Sequence, residues 1–175
     1  MNQTKKLILT GLFTALGILL PMLFHTIPNA GTIFLPMHIP VLLCGLVCGW
    51  YYGAACGILS PLLSSLITSM PPMAILPSML CELAVYGLLT GLIFALVHTG
   101  KLVLDLYIGL IGAMIGGRIV AGLLNALIFK AGQYSLTIWT TASFVTALPG
   151  IVIQLILIPI IVTALYKAKL LPSRK

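Results

Sequence analysis

The chain has 175 residues, 61% hydrophobic and 6% charged, with two acidic residues against nine lysines and arginines for a net charge of +7. A water-soluble domain carries about 25% charged residues, so this composition, with a mean hydropathy of +1.22, excludes a soluble fold and makes lipid the solvent. The positive charge does not point to nucleic acid: Lys5, Lys6, Lys167, Lys169, Arg174 and Lys175 sit at the two ends, where basic residues mark the cytoplasmic flanks of membrane helices.

A helix needs about 20 apolar residues to cross a hydrocarbon core of roughly 30 Å. Six segments answer to that requirement: 7–24, 38–52, 53–69, 74–97, 103–130 and 143–166. The expected fold is all-α, a compact bundle of six transmembrane helices forming a single domain over residues 1–175, with both termini cytoplasmic. The first segment has no small-residue cleavage site and leads into Pro28 and Gly31, so it reads as a retained helix and not a signal peptide. Within it Gly11 and Ala15 stand four apart, the small-xxx-small spacing that lets helix backbones approach.

The stretch 38–69 would be about 48 Å long if unbroken, too long for one crossing. The expected break is at Trp50-Tyr51-Tyr52-Gly53, an aromatic belt with a flexible glycine, leaving Pro61 as a kink that neighbouring helices tolerate. A break after Ser60-Pro61 instead would give five crossings and expose Lys101 and the C-terminal tail outside. Six crossings keep the termini and Lys101 cytoplasmic, in line with the distribution of Lys and Arg. Gly45, Gly49, Gly53 and Gly57 recur every fourth residue, and Gly87 with Gly91 and Gly112 with Gly116 repeat the spacing, as expected for internal helix contacts. Cys44, Cys48, Cys56 and Cys81 form no CxxC pair and read as buried small hydrophobes.

Polar residues inside such helices are expensive. Glu82 on the fourth segment falls about 12 Å below its outer end, with Tyr86 one turn deeper on the same face. Arg118 on the fifth lies about 18 Å from its outer end, and Asn125 follows seven residues on along the same face. Gln154 on the sixth has a similar depth. An intramembrane ionisable residue is by default a functional one, so these side chains are candidates to line one ligand site; a Glu82–Arg118 ion pair joining two helices is the competing account, and interhelical hydrogen bonds the competing account of Asn125 and Gln154. His25 and His38 flank the first outer loop, with His38 taken as a further ligand candidate, and His98 sits at a cytoplasmic helix end.

Three outer loops complete the picture. Residues 25–37, which include Asn29 as a further candidate, and residues 69–73 are apolar, rich in Pro and Gly, and uncharged, as suits segments folded over the mouth of a bundle. Residues 130–141 add Tyr134 and Trp139, either stacking groups or interface anchors. Neither a GxxxxGK[ST] loop nor HExxH nor a Ser/His/Asp constellation occurs, so neither catalysis nor ATP binding is expected of this chain, and no cofactor or metal is implied.

The stretches "GLFTA", "LPMHIP", "SPLLSSLITSMPP", "CELAVYGLLTG", "GGRIVAGLLNALIF" and "LPGIVIQLILIP" resemble the substrate-binding S components of energy-coupling factor (ECF) vitamin transporters, over essentially the whole chain. The resemblance implies a six-helix S-component fold in a prokaryotic plasma membrane, with a ligand pocket near the outer face covered by the loops after helices one, three and five. It implies partners: a membrane T component, contacted through the surface of Gly11 and Ala15, and two cytoplasmic ATPase subunits. Glycine at position 11 departs from the family's usual alanine and leaves that surface flat. The expected ligand is a small water-soluble vitamin or precursor. Pyridoxine or hydroxymethylpyrimidine suits a site built on Glu82, and pantothenate suits one in which Arg118 faces the ligand unpaired. The alternative is a self-sufficient proton-coupled carrier or channel using Glu82 and Arg118.

Overall fold

The computed structural model describes residues 1–24 and 27–171. His25, Arg174 and Lys175 lie outside the described residues. The helices are α1 (Gln3–Leu23), α2 (Ala30–Phe34), α3 (His38–Cys48), α4 (Trp50–Thr68), α5 (Leu76–Leu96), α6 (Leu102–Leu124), α7 (Leu136–Thr140) and α8 (Leu148–Lys167). A π-helical turn, Asn125–Phe129, prolongs α6, and a second, Thr141–Thr146, joins α7 to α8. Among the described residues six spans are long and apolar enough to cross a membrane, the second being Ala30–Cys48, in which α2 and α3 together make one discontinuous crossing. The protein is thus all-helical, with six membrane-capable spans.

The turn between the second and third spans falls at Gly49, earlier than the expected break between residues 52 and 53. Its φ of +102° and ψ of 170° are open to glycine at no steric cost. Trp50 and Tyr51 stack at a centroid distance of 3.5 Å in the first turn of α4 instead of forming the linker. Residues 143–147, expected at the start of the last helix, belong instead to the second π turn and its end, and α8 opens at Leu148 with Pro149 in its first turn.

Glycine decides how the centre packs. A Cβ on Gly87 would strike the carbonyl of Gly53, one on Gly53 that of Gly87, and one on Gly57 that of Leu83, while one on Gly91 would lie 2.7 Å from the Gly45 carbonyl. Helices α3, α4 and α5 therefore meet backbone to backbone, as small-xxx-small spacing permits. Gly112 and Gly116 differ: the side chains of Ile93 and Leu89 lie over them. Helix α1 rests on α4 at Gly17, against Ser60, and turns Gly11 and Ala15 outward, both exposed. Cys44, Cys48 and Cys56 are buried and unpaired, within a core that also holds Val41, Leu42, Leu83, Leu106, Leu110 and Ile158.

A candidate binding site among four helices

The site begins with a break in the second span. Leu35 adopts a left-handed conformation, φ +51°, which ends α2 and restarts the helix at His38. Helix α3 is 11 residues long, so His38 stands about 16 Å from its other end by helix rise, near half the thickness of a bilayer core. His38, expected beside the first outer loop, is 3% exposed and inside the bundle. Irregular backbone at such depth is tolerated where protein buries it or a polar site uses it.

Helix α5 presents Glu82 and Tyr86 to this point. Glu82 Oε1 lies 3.9 Å from His38 Nε2, too far for a hydrogen bond, and the His38 and Tyr86 rings meet edge to face at 5.2 Å. Tyr86 is fully buried because α6 offers it Gly117, where a Cβ would collide with the phenol ring.

The next residue on α6 is Arg118, 4% exposed. Its guanidinium carbon lies 5.2 Å from the centre of the Phe144 ring. Among the described residues the one ion contact within 4.0 Å is His38–Glu82; Glu82 and Arg118 do not pair, so the helix-joining ion pair is not formed. Glu82 and Tyr86 both approach His38, and the Tyr86 ring lies over Gly117, the residue before Arg118, which places these groups about one centre.

Asn125 opens the π turn after α6, an irregularity that recurs at functional sites. Its Nδ2 donates to Ser78 Oγ at 2.6 Å and to the Ala121 carbonyl at 2.9 Å. Gln154 on α8 is fully buried, and its Nε2 donates to the Leu35 carbonyl at 3.5 Å. The result is a set of orphans: both ring nitrogens of His38, the Tyr86 hydroxyl, Asn125 Oδ1 and Gln154 Oε1 are buried without a hydrogen-bond partner among the described residues. Each such group costs about 1–3 kcal/mol, and native proteins leave few of them. The five lie on α3, α5, the π turn that prolongs α6, and α8.

The loop between α6 and α8 covers one side. Trp139 Nε1 donates to the Arg118 carbonyl at 3.0 Å, its indole fills the space a Cβ would need at Gly122, and it meets Phe144 edge to face at 5.5 Å. Tyr134 is half-buried; burial first, and the Glu82 carboxylate second, hold its phenol above the ordinary pKa, so it remains a hydroxyl donor at neutral pH.

Not every candidate gathers here. Asn29 is exposed in the turn before α2, φ +58°, and its carbonyl accepts from Thr32. His98 is exposed, with a ring nitrogen 3.2 Å from the Leu96 carbonyl. Gly117, Gly122, Ser78 and Phe144 were not singled out for the site by sequence reasoning; their roles depend on which helix lies opposite, and no local pattern signals that. A separate groove of about 490 Å³ between α6 and α8, reaching Tyr107, Pro159 and Lys167, is mostly apolar and contains none of the orphaned atoms.

The family model for the substrate-specific component of ECF transporters matches residues 5–162. No curated protein and no solved structure matches the chain.

Proposed function

The chain belongs to the substrate-specific components of ECF transporters, and from that premise we propose that it captures a small water-soluble vitamin or precursor between α3, α5, α6 and α8 and releases it on the other side of the membrane. The observation that carries this reading is the set of five orphaned, buried polar atoms on those four helices. A transport subunit that binds a polar solute inside an apolar bundle needs such groups held ready, because a ligand hydrogen bond then replaces a standing desolvation cost. His38, Glu82, Tyr86, Arg118, Asn125 and Gln154 are the contact residues; Asn29 belongs to the loop that closes over them. Energy comes from partners, a membrane T component and two cytoplasmic ATPases, with both termini of this chain on the ATPase side.

Reconstitution tests the division of labour. In proteoliposomes the chain alone is expected to bind its solute without accumulating it, and import begins when the T component and ATPases are co-reconstituted with internal ATP. Accumulation by the chain alone under a proton gradient would establish the secondary-carrier alternative instead.

Glu82 has a sharper expectation. Its side chain is about one-quarter exposed and stands one turn from Tyr86 on the same helix, so Glu82→Gln removes a charged acceptor with little change of shape. Binding, followed by isothermal calorimetry, is expected to weaken by about 1.5–3 kcal/mol, the scale of a hydrogen bond to a charged group. Unchanged affinity with lowered thermal stability would make Glu82 a packing residue.

A further inference from the structure

Resting on the capture reading above, we propose that the ligand is a small monocarboxylate whose other end offers at least two N–H or O–H donors. What the buried side chains have left to give determines what a solute must bring.

The two amides have no freedom to flip. Asn125 Nδ2 faces the Ala121 carbonyl and Gln154 Nε2 the Leu35 carbonyl, and a carbonyl only accepts. The nitrogens must occupy those positions, so Oδ1 of Asn125 and Oε1 of Gln154 are the unpaired ends. Together with the Glu82 carboxylate they form three acceptors, and a ligand meets them with donors.

Arg118 calls for the opposite chemistry. It is 96% buried, the complement of its 4% exposure, and among the described residues it has no carboxylate within 4.0 Å. Its positive charge rests on the face of Phe144, which offers attraction but no hydrogen-bond acceptor. A planar guanidinium with its donors unspent matches a carboxylate in bidentate geometry. One guanidinium balances one negative charge, so a carboxylate fits better than a doubly charged phosphate. Because Glu82 and Arg118 stand apart, the ligand is bipolar: its anionic end goes to Arg118 and its donors lie toward Glu82, Asn125 and Gln154. A solute lacking the acid leaves a buried cation unpaired, and one lacking donors leaves three acceptors so; either defect is costly.

The test uses wild-type protein in detergent. Solute captured from the small-molecule fraction of yeast extract is released, esterified with acidic methanol and identified by mass spectrometry, with exchangeable hydrogens counted in D₂O. In parallel, thermal stabilisation is measured with pantothenate, which has an acid and donors, with panthenol, which has the donors and no acid, and with nicotinate, which has the acid and no N–H or O–H donor beside it. The expected result is a captured acid with two or more further exchangeable hydrogens, and, where pantothenate stabilises, panthenol and nicotinate each weaker by on the order of 100-fold. Arg118→Gln should lose the captured acid by a similar factor and Arg118→Lys only part of it, the wild-type comparison standing if either variant fails to fold. A captured solute with no acidic group, or a preference for panthenol over pantothenate, overturns the bipolar-acid assignment and leaves the capture reading intact. Capture of nothing from the extract, with no stabilisation by any probe, overturns the capture reading itself.

Discussion

Replacing Gly11 and Ala15 by leucine is expected to reduce uptake to background while binding of the solute persists. Both residues lie on the outward face of α1, and a Cβ built on Gly11 has no protein atom within 4 Å, so the bulk costs the isolated chain almost nothing. Around them Leu7, Ile8, Leu12 and Leu19 are exposed, giving an apolar face with a flat strip along its middle. In lipid, helix association depends on close backbone approach and not on hydrophobicity, so a leucine on the strip holds a partner helix away without unfolding its own. The double variant should copurify poorly with the T component and ATPases, import nothing in reconstituted vesicles, and bind in calorimetry as the wild type does. Parallel loss of binding and import would place this strip inside the fold's own packing.

Gly87→Val is the most damaging single change expected. Gly87 sits at the crossing of α4 and α5, where its missing side chain admits the Gly53 carbonyl and the Ala54 amide, while its own carbonyl lies against Gly45 and Gly53. Backbone atoms cannot rotate aside as a side chain can. The variant must separate α5 from both α3 and α4, forfeiting contacts along three helices at a cost upward of about 3 kcal/mol. Loss of monodisperse protein in detergent, or a large drop in melting temperature, is the measurable outcome. Gly31→Ala serves as the control: a Cβ there would meet nothing within 4 Å, and its effect should stay within about 0.5 kcal/mol. A mild effect at Gly87 would mean that α5 slides freely on its neighbours.

Hydropathy made the six spans legible because each needs a long apolar run whatever its neighbours are. The polar candidates were legible for the same reason, since Glu82, Arg118, Asn125 and Gln154 interrupt those runs. What sequence could not supply was position across the bundle. Four glycines at 45, 49, 53 and 57 are equivalent in spacing, and only the positive φ of Gly49 separates the turn from the packing positions. The depth of His38 depends on a leucine, Leu35, held at positive φ, which no propensity favours. The orientation of the two amides depends on the carbonyls of Ala121 and Leu35, and whether Glu82 and Arg118 paired was open until their separation was known.

That separation has an electrical consequence. In formal charge Glu82 and Arg118 offset each other although no ion contact joins them, so the polar centre they flank adds no net charge of its own. If that centre crosses the membrane field in the course of the proposed release, it moves no net charge while empty. Once loaded, it carries only the charge its cargo brings, and each elementary charge crossing the full membrane exchanges about 2.3 kcal/mol with every 100 mV of potential. A neutral or zwitterionic solute would make the loaded step indifferent to voltage, whereas a monoanion would tie it to the polarity of the cell.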